Sequence, residues 1–480
     1  LTKLVTLAYM HYRNGCRGEK KSIGALELTH SETYFFCGIG GSGMSALAQV
    51  LQHRGNQVRG SDRTYDQGLN TRLYEALGSQ HIVLHAQDGS GVDAAVDVLV
   101  VSSAVEETIP DVKKARLLGV PVKKRADILA SLFNASRGIA IGGTSGKTTV
   151  TGMVGHILEA SGASPTVING GGILNSSLFP GNAICGESEL MAIEADESDG
   201  SIALYEPAVG VVTNISLDHK PLEELRGLFG EFCGRSGISI KNLNCLESRH
   251  LQSTVSFGVD SPGADYNATV LRPTSSGARF SLNGQDIQLR VPGVHNVSNA
   301  AASVAVADQV GVALGYSADA LRSFPGIRRR LQVLGEAGGI RVIDDFAHNP
   351  EKIRASLQTL KARPGRIIVM FQPTGFAPTR MLKDGLIDAF ADELDESDLL
   401  MMPEIYYAGG TASRDISSLD LVDAVMNRGI PARYFPERNE IGLHILKEVG
   451  SGDRVVVMGA RDDTLTEFAQ GILEQIERAC

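Results

Sequence analysis

The sequence predicts an α/β protein of three units, each a mostly parallel sheet wrapped by helices. Three observations predict it. Short apolar strands alternate with helical stretches along most of the chain, the pattern of parallel sheets covered on both faces. Two glycine-rich turns, at 38–43 and 142–146, each stand between such a strand and such a helix. At 480 residues the chain exceeds one ordinary domain, and about 150 residues per domain gives about three.

The elements follow in order. Thr33 to Cys37 is a short apolar strand, followed by a glycine turn and a helix from about Gly43 to His53. Gln57 to Gly60 is the next strand, and it runs into Ser61-Asp62. Val96 to Ser102 and Val120 to Lys123 complete the first unit, 33–136. The central unit, 137–327, opens with the strand Gly138 to Ile141 and a helix from about Thr148 to Ser161. Leu190 to Ala195 and Val209 to Ile215 are apolar strands ending in polar residues. Residues 255–292 are expected as short antiparallel strands, before an Ala-rich helix from about Asn296 to Gly311. Pro and Gly at 323–326 mark a boundary. The last unit, 328–480, carries strands at Ile340 to Asp344, Arg366 to Phe371, Leu399 to Met402 and Arg454 to Met458. Residues 1–32 are set aside as an extension without an assigned role.

Composition narrows the function. A net charge of -10 argues against a general nucleic-acid or anionic-membrane surface. The six cysteines are scattered, with no CxxC pair. That argues against a disulfide framework or zinc site and fits a reducing compartment. No apolar run approaches a membrane span, and the N-terminal charges follow the apolar stretch instead of preceding it. A cytoplasmic location is expected.

The strongest chemical signal is Gly142-Gly143-Thr144-Ser145-Gly146-Lys147-Thr148-Thr149. A strand ends, glycines allow a tight turn, and a helix begins at Lys147. Free N–H groups of such a loop form a nest for phosphate oxygens. Lys147 would reach the β- and γ-phosphates, and the Thr148 hydroxyl would ligate Mg²⁺. Ile141 stands where the full phosphate-loop pattern has Gly, so the match is to the shortened form GxxGKT. The bland alternative is a glycine turn with a surface lysine.

Gly38-Ile39-Gly40-Gly41-Ser42-Gly43 has the dinucleotide-binding layout, with Asp62 ending the next strand. Its direct reading is a pyrophosphate site with Asp62 near a ribose or base edge. An NAD(P)-dependent dehydrogenase and a purely structural turn are the alternatives. A second phosphate loop a hundred residues on speaks for an enzyme that joins ATP to a nucleotide-linked substrate. Glu194 and Asp196 end an apolar strand, where either would meet Mg²⁺ held by ATP. His219 follows another strand end in Thr213-Asn214-Ile215-Ser216-Leu217-Asp218-His219.

These segments resemble the Mur ligases, the amide ligases that build peptidoglycan. The resemblance is carried by GIGGSGMSALA at 38–48, GSD at 60–62, VVSSAV at 100–105, GGTSGKTT, IEADESD, TNISLDH, GVHNVSNAAA at 293–302, GIRRRLQ at 326–332, DDFAHNP at 344–350 and FQP at 371–373. It implies a Rossmann-like UDP-sugar unit, a P-loop ATPase-like central unit and a Rossmann-like unit for the incoming amine. It implies ATP held by Gly143 to Thr149, with Asn296 and Asn299 by the adenine, Arg330 on the transferring phosphoryl group and Asp345 on the ribose. Lys147, Glu194, His219 and Arg330 would be catalytic, with Thr148, Glu194 and His219 holding Mg²⁺. Gly40, Gly41, Ser42, Gly43, Met44, Asp62, Ser102 and Ser103 would face the UDP-sugar, and His348 and Arg380 the acceptor.

The activity implied is ligation of an amino acid, most simply L-alanine, to UDP-N-acetylmuramate through an acyl phosphate. The partners are then a UDP-linked sugar carboxylate and an amino acid or peptide, with no nucleic acid or membrane, on a monomer or weak homodimer. Alternatives are attachment of a recycled peptide, another acceptor, or a nucleotide-binding pseudoenzyme. The alanine-adding branch typically has His where Ser145 stands, and basic residues where Thr374, Gly375 and Pro378 stand. Asn349 replaces a second His. Read without the resemblance, Asn296 is an N-cap and Arg328 to Arg330 a solvated basic patch.

Overall fold

The structure, a computed structural model, describes residues 31–480 apart from 103–104, 175, 177–178, 218–219, 275–276, 408–412, 461, 463 and 480. Ser103 and His219 therefore lie outside the described residues, as does nearly all of the expected extension.

The first sheet is wholly parallel. Strands β1 (Thr33–Cys37), β2 (Gln57–Ser61), β3 (Val83–His85), β4 (Val98–Val101) and β5 (Val122–Lys124) lie in the order β3-β2-β1-β4-β5. All five side chains of β1 are buried, as a central strand covered on both faces requires. The order reverses between β1 and β4, so a crevice opens at the C-terminal end of β1. The first glycine turn and helix α1 (Ser42–His53) stand there.

The second sheet holds β6 (Arg137–Gly142), β7 (Thr166–Ile168), β8 (Ala183–Ile184), β9 (Leu190–Glu194), β10 (Val209–Val212), β11 (Ile238–Asn242), β12 (Val255–Val259), β13 (Tyr266–Thr274), β14 (Gly277–Leu282) and β15 (Gln285–Leu289). Their order is β15-β14-β13-β12-β11-β10-β6-β9-β7-β8. The expectation of an antiparallel set from 255 is corrected here. β12 pairs parallel to β11 and β13 parallel to β12, so in this stretch only the β13–β14 and β14–β15 pairs are antiparallel; at the far edge β8 is also antiparallel to β7. Alternation along short strands marks their inner face but not their direction. Helix α2 (Lys147–Ala160) follows β6 directly. It packs on α3 (Val294–Gln309), whose alanines are buried and let the two axes approach closely.

The third sheet holds β16 (Gln332–Ala337), β17 (Ile340–Asp345), β18 (Ile367–Gln372), β19 (Leu399–Pro403), β20 (Ala432–Phe435) and β21 (Arg454–Gly459), ordered β16-β17-β21-β18-β19-β20. Only β16 is antiparallel to its neighbour. Helix α4 (Pro350–Lys361) follows β17, and α5 (Phe376–Glu393) follows β18.

A buried polar knot joins the first two sheets. Asn182 donates through Nδ2 to the Ser42 carbonyl at 2.7 Å and to Ser45 Oγ at 2.9 Å, and it accepts from Gln49 Nε2 at 3.1 Å. Asn182, Ser45 and Gln49 are all buried. Asn182→Ala removes one of two partners from the Gln49 amide, which keeps the Ser45 carbonyl, and one from the Ser42 carbonyl, which keeps Ser45 Oγ. It is expected to lower unfolding free energy by about 1–3 kcal/mol in a denaturant titration. A change inside experimental error would show that the knot is not what holds the two sheets together.

Candidate active site

The second glycine loop is built by backbone conformations that only glycine adopts easily. Gly143 has φ +126° and Gly146 φ +87°. A Cβ on Gly143 would lie 2.1 Å from Thr213 Oγ1, and one on Gly146 2.7 Å from Asn299 Oδ1. The loop is tied from behind by the end of β10. The Ser145 N–H donates to Asn214 Oδ1 at 2.8 Å, and the Thr144 hydroxyl donates to the same oxygen at 3.0 Å. Thr149 lies in the first turn of α2, one residue beyond Thr148.

Lys147 and Thr148 open α2 and point at the end of β9. Lys147 Nζ donates to the Gly143 carbonyl and to Glu197 Oε2, each at 2.6 Å, with Asp196 Oδ1 4.0 Å away. Burial works against the ammonium charge, but Glu197 and Asp196 outweigh it and hold the Lys147 pKa above its ordinary value. The Thr148 hydroxyl donates to Glu194 Oε2 at 3.2 Å, and the other Glu194 oxygen accepts from the Gly170 N–H. Thr148 and Glu194 thus present two hard oxygen donors side by side, which suits Mg²⁺ completed by phosphate oxygens. Among the described residues no group of three His, Cys, Asp or Glu clusters as a metal cage.

Burial pushes the Glu194 carboxyl upward, and the Gly170 amide, Lys147 and Arg330 offset only part of that. The folded chain then keeps this proton at pH values where an unfolded glutamate has released it. Stability contributed here falls as pH rises from the ordinary glutamate range through the raised value. Glu194→Gln is expected to flatten that part of a Tm-against-pH profile. An unchanged slope would assign it to other carboxyls.

The three arginines at 328–330 are not a solvated patch. Arg329 turns into the third sheet, donating to Asp344 Oδ1 at 3.3 Å, the Gly459 carbonyl at 2.8 Å and the Asp462 carbonyl at 3.1 Å. Arg330 reaches the central unit: its Nη2 donates to Thr148 Oγ1 at 3.3 Å, and its Cζ lies 4.7 Å from the Phe346 ring centroid. Arg328 points elsewhere, donating to the Pro180 carbonyl at 3.1 Å. Adjacent residues serve separate units because Arg329 and Leu331 adopt positive φ, 55° and 46°, which turns the chain between them.

The structure brings Asn296 and Asn299 together beside Gly146, but Asn296 is not an N-cap. It lies inside α3, donates to the Pro292 carbonyl at 2.6 Å and accepts from Asn299 Nδ2 at 3.1 Å. His348 packs edge-on against Phe346, the ring beside Arg330, and its Nδ1–H donates to the Phe346 carbonyl at 2.8 Å. Gly40, Gly41, Ser42 and Gly43 line the C-terminal end of β1 as expected, and Ser102 ends β4 beside them.

Four expectations are corrected. Met44 is buried in the core, because its position on α1 faces the sheet. The Asp62 carboxylate does not reach outward: it accepts from the Gly40 N–H at 2.8 Å and the Thr64 N–H at 2.9 Å, so it pins the first glycine turn. Asp345 is buried, and its oxygens accept from the Ser356 hydroxyl and from the Leu331 N–H at 3.4 Å, so it is held within the third unit. Arg380 is bound to Asp415 and to the Ser413 carbonyl at 3.1 Å, so its charge is already matched.

Sequence reasoning missed several residues that the fold brings in. Glu197 lies in the acidic run after β9, but only geometry decides which carboxylate meets Lys147. Arg125 lies against Gly43, 3.1 Å from where a Cβ would be, and pairs with Asp199 at 3.5 Å. Glu351, from the first turn of α4, crosses to the central unit and accepts from Ser216 Oγ and from Asn214 Nδ2. Nothing local in the sequence signals that crossing.

A phosphate loop with an adjacent carboxylate, a second glycine loop, and an arginine arriving from a third α/β unit together define a three-unit nucleotide-dependent ligase. The chain belongs to the Mur ligase family, ATP-dependent amide-bond-forming ligases of peptidoglycan synthesis. Three family models match in chain order: the Mur ligase catalytic domain at 33–137, the middle domain at 141–307 and the glutamate ligase domain at 329–461. UDP-N-acetylmuramate--L-alanine ligase from Pelotomaculum thermopropionicum is 36% identical over 446 residues, covering 89% of this chain and 94% of its own. The enzyme of that name from a Synechococcus strain is 37% identical over 461 residues, covering 92% and 94%. Among solved structures, UDP-N-acetylmuramate-alanine ligase from Thermotoga maritima superposes with a TM-score of 0.78 at 27% identity, covering 94% of this chain and 100% of its own. A murein peptide ligase from Psychrobacter arcticus shares the fold, with a TM-score of 0.69 at 21% identity over 93% of this chain and 99% of its own. Among the described residues no helix is long and apolar enough to cross a membrane.

Proposed function

We propose that this protein uses ATP and Mg²⁺ to join an amino acid, L-alanine first among candidates, to the carboxylate of UDP-N-acetylmuramate. The carrying observation is Thr148 hydrogen-bonded both to Glu194 and to Arg330 from the third unit, with Lys147 next to it in the chain and paired with Glu197. The alanine ligases at 36% and 37% identity support the choice of substrates.

The sugar carboxylate attacks the γ-phosphorus of ATP in line, forming an acyl phosphate and releasing ADP. The amine then attacks the acyl carbon, and inorganic phosphate leaves. Lys147 and Arg330 place two cations on the oxygens that carry charge during phosphoryl transfer. For this, phosphate oxygens take the place of the Glu197 carboxylate on the Lys147 ammonium. Thr148 and Glu194 would hold Mg²⁺, which would supply further charge neutralisation on the phosphates. Water would hydrolyse the acyl phosphate, and the approach of the third unit over the loop excludes it.

The test is phosphate release with UDP-N-acetylmuramate, ATP, Mg²⁺ and a panel of amines. Alanine-dependent release is expected, and no amine-dependent release with any member of the panel would sink the reading. A peptide acceptor is the second reading. It is favoured by the acceptor side of the third sheet, where Thr374, Gly375 and Pro378 carry no charge and Arg380 is already paired with Asp415. A tripeptide preferred over alanine in the same panel would select it.

A further inference from the structure

We propose that Arg72 and Arg328 clamp the diphosphate of the UDP-linked substrate, a site additional to the amides of either glycine loop. The proposal rests on the UDP-sugar reading above. The two guanidiniums come from distant parts of the chain and meet on one aromatic ring. Cζ of Arg72 lies 4.4 Å, and Cζ of Arg328 5.0 Å, from the ring centroid of Phe179. Among the described residues neither forms an ion pair with a carboxylate.

Two cations gathered without an acid repel each other, and the ring attracts each by only about 0.5–2 kcal/mol. Burial, and then the charge of Arg72, draw the Arg328 pKa below its ordinary value. An anion that touches both removes that penalty. The geometry is held in place on the Arg328 side. Its Nε donates to the Pro180 carbonyl at 3.1 Å, and its Cδ would lie 3.0 Å from a Cβ on Gly172, so only glycine leaves it room. Arg72 stands in the first turn of the helix Thr71–Ser79, where no acidic side chain and no side-chain cap compete for an anion.

The position in the crevice identifies the ligand. Phe179 and Pro180 lead into Asn182, which is bonded to the Ser42 carbonyl of the first glycine turn. On the other side, Gly171 touches the P-loop unit, since a Cβ there would lie 3.0 Å from Thr148 Cγ2. The clamp therefore lies between the loop that faces the nucleotide-linked substrate and the loop that faces ATP. The anionic groups of a UDP-muramic acid are its diphosphate and its carboxylate. Two guanidiniums on the carboxylate would blunt the nucleophile that must attack ATP. The diphosphate carries two charges and does not react, so it is the group that the pair suits.

Calorimetric binding of UDP-N-acetylglucosamine and UDP-N-acetylmuramate to the full chain tests this, because only the second carries the carboxylate. Arg72→Ala and Arg328→Ala are each expected to weaken both ligands by about 10–100-fold, with ATP affinity unchanged within about twofold. Arg72→Lys, at an exposed position that keeps the charge, should recover part of the loss. Weakening of UDP-N-acetylmuramate alone would move the clamp to the carboxylate and overturn the assignment, as would unchanged affinity for both ligands. If the unaltered chain binds neither UDP-sugar, the UDP-sugar reading fails and the clamp with it. If it binds both but ligates no amine, only the ligation reading fails.

Discussion

Lys147→Ala is expected to cut ATP-dependent phosphate release by about 10³-fold, the scale of removing a preorganised charge from a phosphoryl-transfer site. The same substitution should destabilise the protein, which a simple surface lysine would not do. The Lys147 and Glu197 side chains are only 14% and 3% exposed. Removing one partner of a buried pair leaves the other charge uncompensated, at a cost of about 3–5 kcal/mol. The two effects separate in a double variant. Glu197→Gln in the Lys147→Ala background should restore most of the lost Tm while phosphate release stays absent. Recovery of release together with stability would show that Lys147 acts only as a structural counter-charge.

Arg330→Ala should lower kcat by about 10³-fold or more, the range found for an arginine that stabilises a transferring phosphoryl group. Here the arginine comes from the unit that follows the boundary and reaches Thr148 Oγ1 at 3.3 Å. Its stacking on Phe346 contributes only about 0.5–2 kcal/mol, so the fold should survive. ATP affinity should change far less than kcat, because the guanidinium acts on charge that develops during transfer. Arg330→Lys should rescue little, since an ammonium lacks the planar fork. A large loss of ATP affinity with unchanged kcat would make Arg330 a binding residue and remove it from the chemistry.

Much of the central site was legible because its chemistry is local. A phosphate loop needs strand, glycines, lysine and hydroxyl in consecutive positions, so Gly143 to Thr148 could be read directly. Glu194 was legible as the end of an apolar strand. The partner of Lys147 was not, because Glu194, Asp196 and Glu197 share one acidic run and only the twist beyond β9 selects Glu197. Asp62 shows the opposite failure. An acid after a second strand fits the dinucleotide layout, yet its carboxylate faces back into the first turn and binds the Gly40 amide. Met44 sat in a motif quoted as a block, although helix periodicity alone places its side chain against the sheet.

By itself the sequence determined the α/β class, the run of three units, the two glycine loops and the placement of Lys147 and Thr148 where a strand, a glycine turn and a helix meet. Each rests on contacts between residues close in the chain. The tertiary structure alone decided what distant segments do to one another. It split Arg328, Arg329 and Arg330 among three surroundings, because positive φ at Arg329 and Leu331 turns the backbone between them. It matched Arg380 with Asp415, carried Glu351 across to Ser216 and gathered Arg72 with Arg328 on Phe179. Such pairings depend on how sheets and helices pack after they form, and no spacing along the chain encodes them.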